Sequence, residues 1–99
     1  NIDWKNRSCS IYIKLKFESQ GKGVGKETVK MLLKYIYEEL NLNRVEAQIL
    51  SDNVCSQKIF MRNGFKKEGL REKAVFKKGQ YQDVILYAVL KENYIKDME

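Results

Sequence analysis

Apolar and polar residues change their spacing twice in the first half of the chain, and each change predicts an element. Across residues 10–17, Ile11, Ile13, Leu15 and Phe17 alternate with Tyr12, Lys14 and Lys16. A repeat of two is that of a strand with one exposed face. The chain then passes through Q-G-K-G-V-G-K at residues 20–26, after which Val29, Leu32, Leu33, Ile36, Tyr37 and Leu40 fall on one helical stripe. This predicts a helix over residues 25–40, stopped by Asn41-Leu42-Asn43. Alternation resumes from Arg44 to Leu50. Strand, glycine turn, helix and strand make a βαβ unit, so the two strands should be parallel with a right-handed crossover.

Beyond Leu50, Ser51-Asp52-Asn53 supplies capping residues for a short helix reaching Arg62, with Ile59 and Phe60 facing inward and Asn63-Gly64 ending it. Residues 65–76 and 83–90 read as two strands joined around Lys78-Gly79-Gln80, a hairpin signal. Residues 91–99 read as a polar tail. The opening residues 1–7 read as the end of an earlier strand and a turn. The expected fold is therefore α+β, mixed α/β layers in the order β-β-α-β-α-β-β.

The chain has 99 residues, 43% of them hydrophobic, enough for one core and no second. One domain over residues 1–99 is expected. Nineteen basic against 13 acidic side chains give a net charge of +6, which favours anionic partners. The lysines are spread over every element, which argues against a nucleic-acid surface. Two cysteines, Cys9 and Cys55, and no histidine leave no donor set for a structural zinc, so no metal is expected. Both thiols are expected to remain reduced. No apolar run approaches the ~20 residues of a membrane span. A cytoplasmic protein without a membrane partner is the expectation.

The glycine-rich segment is the first candidate for chemistry. Between a strand and a helix it offers consecutive backbone N–H groups at the positive end of the helix dipole, suited to phosphate oxygens. Two familiar phosphate loops do not fit. Lys26 is followed by Glu27 rather than the hydroxyl residue of a P-loop, and G-x-G-x-G is not the dinucleotide spacing G-x-G-x-x-G.

Three blocks in order carry a family resemblance: Gln20-x-x-Gly23-x-Gly25; Asn53-x-x-Ser56-x-x-x-Phe60-x-x-x-Gly64-Phe65; and Gly79-Gln80-Tyr81-Gln82-Asp83-Val84 with Leu86-Tyr87 and Glu92-Asn93-Tyr94. Together they resemble the Gcn5-related N-acetyltransferases, in particular the carboxy-terminal cofactor-binding portion of the ribosomal-protein N-terminal acetyltransferase branch. The resemblance implies acetyl-coenzyme A as co-substrate and a primary amine as acceptor, whether a protein N-terminus, a polyamine or an aminoglycoside. It implies that the amides of Gly21, Lys22, Gly23, Val24, Gly25 and Lys26, with Gln20, hold the pyrophosphate. The strand edge at Lys14, Leu15, Lys16 and Phe17 would pair with the pantetheine arm. Asn53 would bond the pantetheine amides, Ser56 would stabilise the departing thiolate, and Phe60 would line the cofactor.

The resemblance also implies a partial domain lacking the amino-terminal strand and helices, with an exposed edge beside residues 10–17 that would pair with another chain as a homo-oligomer. Phe60 stands where many relatives carry a tyrosine acid, Val75 precedes Phe76 where a carboxylate is frequent, and no acid lies near Ser10. The general base is thus open among Glu18, Glu46, Glu68 and a chain of waters. Tyr12, Tyr81 and Tyr87 are expected to pack on the sheet. A non-catalytic coenzyme A-binding or self-associating remnant is the alternative reading.

Overall fold

The alternating segment Arg44–Leu50 forms the middle strand of a five-stranded sheet, and the other elements are placed by what pairs with it or covers it. The computed structural model describes residues 2–11 and 24–98. Its elements are β1 (Ile2–Asp3), β2 (Ser8–Ser10), α1 (Val24–Lys34), a wider helical turn (Tyr35–Glu39), β3 (Arg44–Leu50), α2 (Val54–Arg62), β4 (Lys66–Lys77), β5 (Gln80–Leu90) and α3 (Lys91–Met98). The sheet order is β1-β2-β3-β5-β4. β2 and β3 are parallel, as the βαβ reading requires, with Cys9 opposite Val45; β3 and β5 are antiparallel, with Ala47 opposite Tyr87.

One face of this sheet is dry. Val45, Ala47 and Ile49 of β3, Ile85, Tyr87 and Val89 of β5 and Cys9 of β2 are buried in one cluster with Val29, Leu33, Ile36, Tyr37, Phe60 and Phe65. Both α1 and α2 therefore cover the same face. Leu32, Leu40 and Ile59 pack on the cluster from its margin. The Tyr37 hydroxyl, taken out of water, donates to the Val89 carbonyl at 2.8 Å, and burial raises its pKa. Cys9 behaves as a small apolar side chain, with burial pushing its thiol pKa up, and both cysteines are free.

The first helix does not run as a regular α-helix to residue 40. Its end widens, Leu40 N–H bonding the Tyr35 carbonyl at 3.2 Å and Leu42 N–H the Ile36 carbonyl at 3.3 Å. Asn41, with φ +52°, turns the chain out in the left-handed region, a conformation asparagine tolerates well, and Leu42 is then buried. Helical spacing alone cannot separate these turns, because the same stripe of residues faces the core in either.

Three further expectations change. Residues 91–98 are a helix rather than a loose tail. Lys91 N–H bonds the Asn43 carbonyl, its ammonium reaches Asn41 Oδ1, the Tyr94 ring lies 4.8 Å from that of Tyr37, and the Tyr94 hydroxyl bonds Glu38. A polar sequence is docked by one aromatic ring, its hydroxyl and the ammonium at the start of the helix. β5 begins at Gln80, because Lys78 and Gly79 both have positive φ and close a two-residue primed turn. β1 pairs antiparallel with β2, Ile2 opposite Cys9, in keeping with the strand end and turn read over residues 1–7, while residues 12–17 of the edge expected to be open lie outside the described residues. Tyr81 does not pack on the sheet interior; it is exposed at the hairpin end beside Phe76. The long β4 edge is interrupted twice, between Lys67 and Gly69 and between Arg71 and Val75, and is rich in lysine, features that oppose edge pairing.

Leu33, 1% exposed beneath α1, should lose about 2–5 kcal/mol on replacement by alanine. Urea unfolding of Leu33→Ala against the parent chain measures this.

Candidate cofactor and acyl-transfer site

The second sequence block is the one whose local chemistry is visible in full. β3 ends at Leu50, and Asn53 N–H bonds the Leu50 carbonyl at 3.0 Å, closing a tight turn. Asn53 then caps α2. Its Oδ1 accepts from the Ser56 N–H at 3.1 Å, satisfying one of the donors that a helix start leaves open. Ser56 is half-buried in the first turn. Phe60 lies on the inward side of the same helix, 3% exposed and edge-on to Phe65 with ring centres 4.9 Å apart. Its ring is core packing. The helix closes at Asn63, with Gly64 at φ +89°.

The first block enters α1. Val24 opens that helix, Gly25 is buried in its first turn and Lys26 is exposed. The Lys26 carbonyl accepts from Asn63 Nδ2 at 3.2 Å, which ties the end of α2 to the start of α1. Lys14, Leu15, Lys16, Phe17, Gln20, Gly21, Lys22 and Gly23 lie outside the described residues, as do Tyr12 and Glu18.

Gln57 escaped the sequence reading. It follows Ser56 and sits one turn after the cap, its backbone N–H bonding the Asn53 carbonyl at 3.2 Å. Its amide Nε2 donates to the Ser51 carbonyl at 2.9 Å and to that of Leu50 at 3.4 Å, while its Oε1 accepts from the buried Tyr87 hydroxyl at 3.1 Å. A glutamine on a helix carries no signal for a tyrosine in a distant strand. Only the pairing of Tyr87 with Ala47 brings the two together.

The opposite face of β3 carries the charges. Arg44, Glu46 and Gln48 alternate with the buried residues and, with Glu68, Arg71 and Leu86, line a cavity of about 230 Å³. Arg44 Nε donates to Glu46 Oε1 at 2.9 Å, and its two terminal nitrogens donate to both Glu68 oxygens. The guanidinium holds the Glu68 carboxyl below its usual range, chiefly through those hydrogen bonds. Two of the three carboxylates open as general base are thus engaged by one arginine. Among the described residues no group of three His, Cys, Asp or Glu side chains could hold a metal ion. No described helix is long and apolar enough to cross a membrane.

A parallel β2–β3 pair, a helix entered from a glycine-rich segment and an asparagine-capped second helix on the same sheet face define an α+β domain of the acetyltransferase type. Residues 1–66 match the family described as Acetyltransferase (GNAT) domain. The chain is 37% identical over 93 residues to an uncharacterized N-acetyltransferase p20 of Bacillus licheniformis, covering 94% of this chain and 52% of that protein. It is 31% identical over 87 residues to the ribosomal-protein-serine acetyltransferase of Escherichia coli (strain K12), covering 88% and 49% respectively. The crystal structure of spermidine N-acetyltransferase from Vibrio cholerae in complex with CoA and spermine superposes with a TM-score of 0.88 at 29% identity, covering 95% of this chain and 56% of that one. The chain belongs to the GNAT acetyltransferase family. It spans about half the length of the curated relatives it matches.

The Arg44–Glu68 pair gives a pH dependence. A carboxylate whose folded pKa is depressed adds stability above its unfolded pKa and loses it as pH falls through the folded value. The pair is partly exposed, its side chains 30% and 45% accessible, so its contribution is at most about 1 kcal/mol. The stability difference between the parent and Glu68→Gln should close as pH falls below the carboxylate range, and Arg44→Gln should return the Glu68 pKa upward in an NMR titration.

Proposed function

We propose that the chain is the cofactor-binding, carboxy-terminal portion of an acetyl-coenzyme A-dependent N-acetyltransferase of the ribosomal-protein N-terminal branch, acting on a primary amine. The observation that carries this reading is that the two sequence blocks assigned to the cofactor open two helices on one sheet face, tied together by Asn63 and the Lys26 carbonyl. The backbone amides of residues 21–26, with Gln20, hold the pyrophosphate at the positive end of α1. Residues 14–17 offer a strand edge to the pantetheine arm, and Asn53 bonds its amides. Lysines 22 and 26 add positive charge beside the phosphates.

The acceptor nitrogen, as the free amine, attacks the thioester carbonyl carbon. The tetrahedral adduct collapses with cleavage of the carbon–sulfur bond, the amide forms, and the thiolate leaves. Ser56, whose hydroxyl has no partner among the described residues, donates to that sulfur. A base or a water chain takes the proton from nitrogen. Glu68 is a poor choice while Arg44 holds it, since a stabilised carboxylate is a weaker base, and Glu46 is engaged by the same guanidinium. Relatives named for spermidine and for a ribosomal protein support an amine acceptor of either small or protein origin. A cytoplasmic setting goes with the same reading.

The second reading, a coenzyme A-binding or self-associating remnant without turnover, is favoured by the buried Phe60 at the position of the missing phenolic acid. Both readings include a homo-oligomer. Support for it comes from the exposed apolar side chains Ile2 and Trp4.

Calorimetric titration should give saturable binding of coenzyme A to the purified chain, lost in Gly23→Asp, where a carboxylate opposes the pyrophosphate; a folded chain that binds neither coenzyme A nor its acetyl thioester overturns the cofactor assignment. Sedimentation equilibrium should return a mass above that of one chain, and a monomer would refute the association.

A further inference from the structure

Resting on that cofactor reading, we infer that Gln57 and Tyr87 form a positioning pair that sets where Asn53 and Ser56 meet the thiol end of coenzyme A. The first turn of α2 follows β3 through only Ser51, Asp52 and Asn53, a turn held by the bonds from Asn53 to Leu50 and from Val54 to Asp52. Such a turn fixes the chain path, and Phe60 and Asn63 hold the far end of α2, which leaves the tilt of its first turn to be set. Gln57 removes that freedom from both sides. Its amide N–H group reaches back to the Ser51 and Leu50 carbonyls, and its carbonyl oxygen takes the Tyr87 hydroxyl from the middle of β5.

Tyr87 is a rigid anchor. It is 4% exposed, lies in the dry cluster and pairs with Ala47 across the β3–β5 ladder. Its ring would pack there without a hydroxyl, so the oxygen is the part that packing does not require. A buried hydroxyl costs stability unless bonded, and the partner it finds is the one side chain that also grips the end of β3. Gln57 immediately follows Ser56 and sits one turn after Asn53. A shift of the helix start by a fraction of an ångström would therefore carry the serine hydroxyl and the asparagine amide with it. Neither Gln57 nor Tyr87 is required to touch the ligand.

This assignment separates the two ends of the cofactor. In that reading the pyrophosphate end is held by residues 20–26, up to the first turn of α1, whereas the pantetheine and thiol are met by α2. The test is calorimetry with two probes, whole coenzyme A and its phosphoadenosine diphosphate half, on the purified chain and on Gln57→Met and Tyr87→Phe. Both substitutions keep side-chain volume. Each variant should bind coenzyme A about tenfold more weakly, the loss expected for a positioning hydrogen bond, with less than about twofold change for the nucleotide half. Equal losses for the two probes would mean that the pair only stabilises the fold, and unchanged affinities for both would mean that it positions nothing. Either result overturns the inference while leaving the cofactor reading intact. A parent chain that binds neither probe overturns both.

Discussion

Everything in this chain leans on the burial of one side of β3. Val45, Ala47 and Ile49 supply the floor on which α1 and α2 rest, and the same strand pairs in parallel with β2 and antiparallel with β5. At about 25 cal/mol for each Å² of apolar surface removed from water, burial of this face is the main source of stability, and it also settles the strand register. A shift by one residue would turn Arg44, Glu46 and Gln48 into the dry layer. The cost of burying those charges forbids it.

The opposite face of β3 shows what the constraint leaves over. Its outward residues are free to be polar, and there Arg44 gathers Glu46 from its own strand and Glu68 from β4, across β5. In partly exposed surroundings this is a weak contribution to stability, but it has a chemical consequence. The Glu68 carboxylate, drawn to the guanidinium, is held ionised and loses basicity, so a residue type that suggests a proton acceptor is countered by its neighbour.

The candidate site depends on the same floor indirectly. A capped helix start on α2 is local chemistry, but its position relative to the sheet comes from a bond between Gln57 and a tyrosine buried in β5. The contact is possible because Tyr87 reaches from the helix-covered face of β5, opposite Ala47, with its polar end still needing a partner. The carboxy-terminal helix is held likewise, by Tyr94 against Tyr37 and by Lys91 against the turn at Asn41 and Asn43. In each case an amphipathic side chain brings a polar group to the edge of an apolar layer.

The sequence by itself determined what depends on near neighbours. The period-two run of Arg44–Leu50, the apolar stripe from Val29 to Tyr37, the capping residues before α2, the hairpin around Gly79 and the parallel pairing of a βαβ unit all follow from spacing and local chemistry. The family blocks were legible for the same reason, since Asn53, Ser56 and Gly64 sit at fixed offsets on one helix. Tertiary structure alone decided the widened end of the first helix, because the same stripe serves either kind of turn. It also decided the docking of residues 91–98, whose polar sequence has one aromatic anchor. The meetings of Gln57 with Tyr87 and of Arg44 with Glu68 belong there too: thirty and twenty-four residues separate the partners, and nothing local couples positions so far apart until a common sheet aligns them.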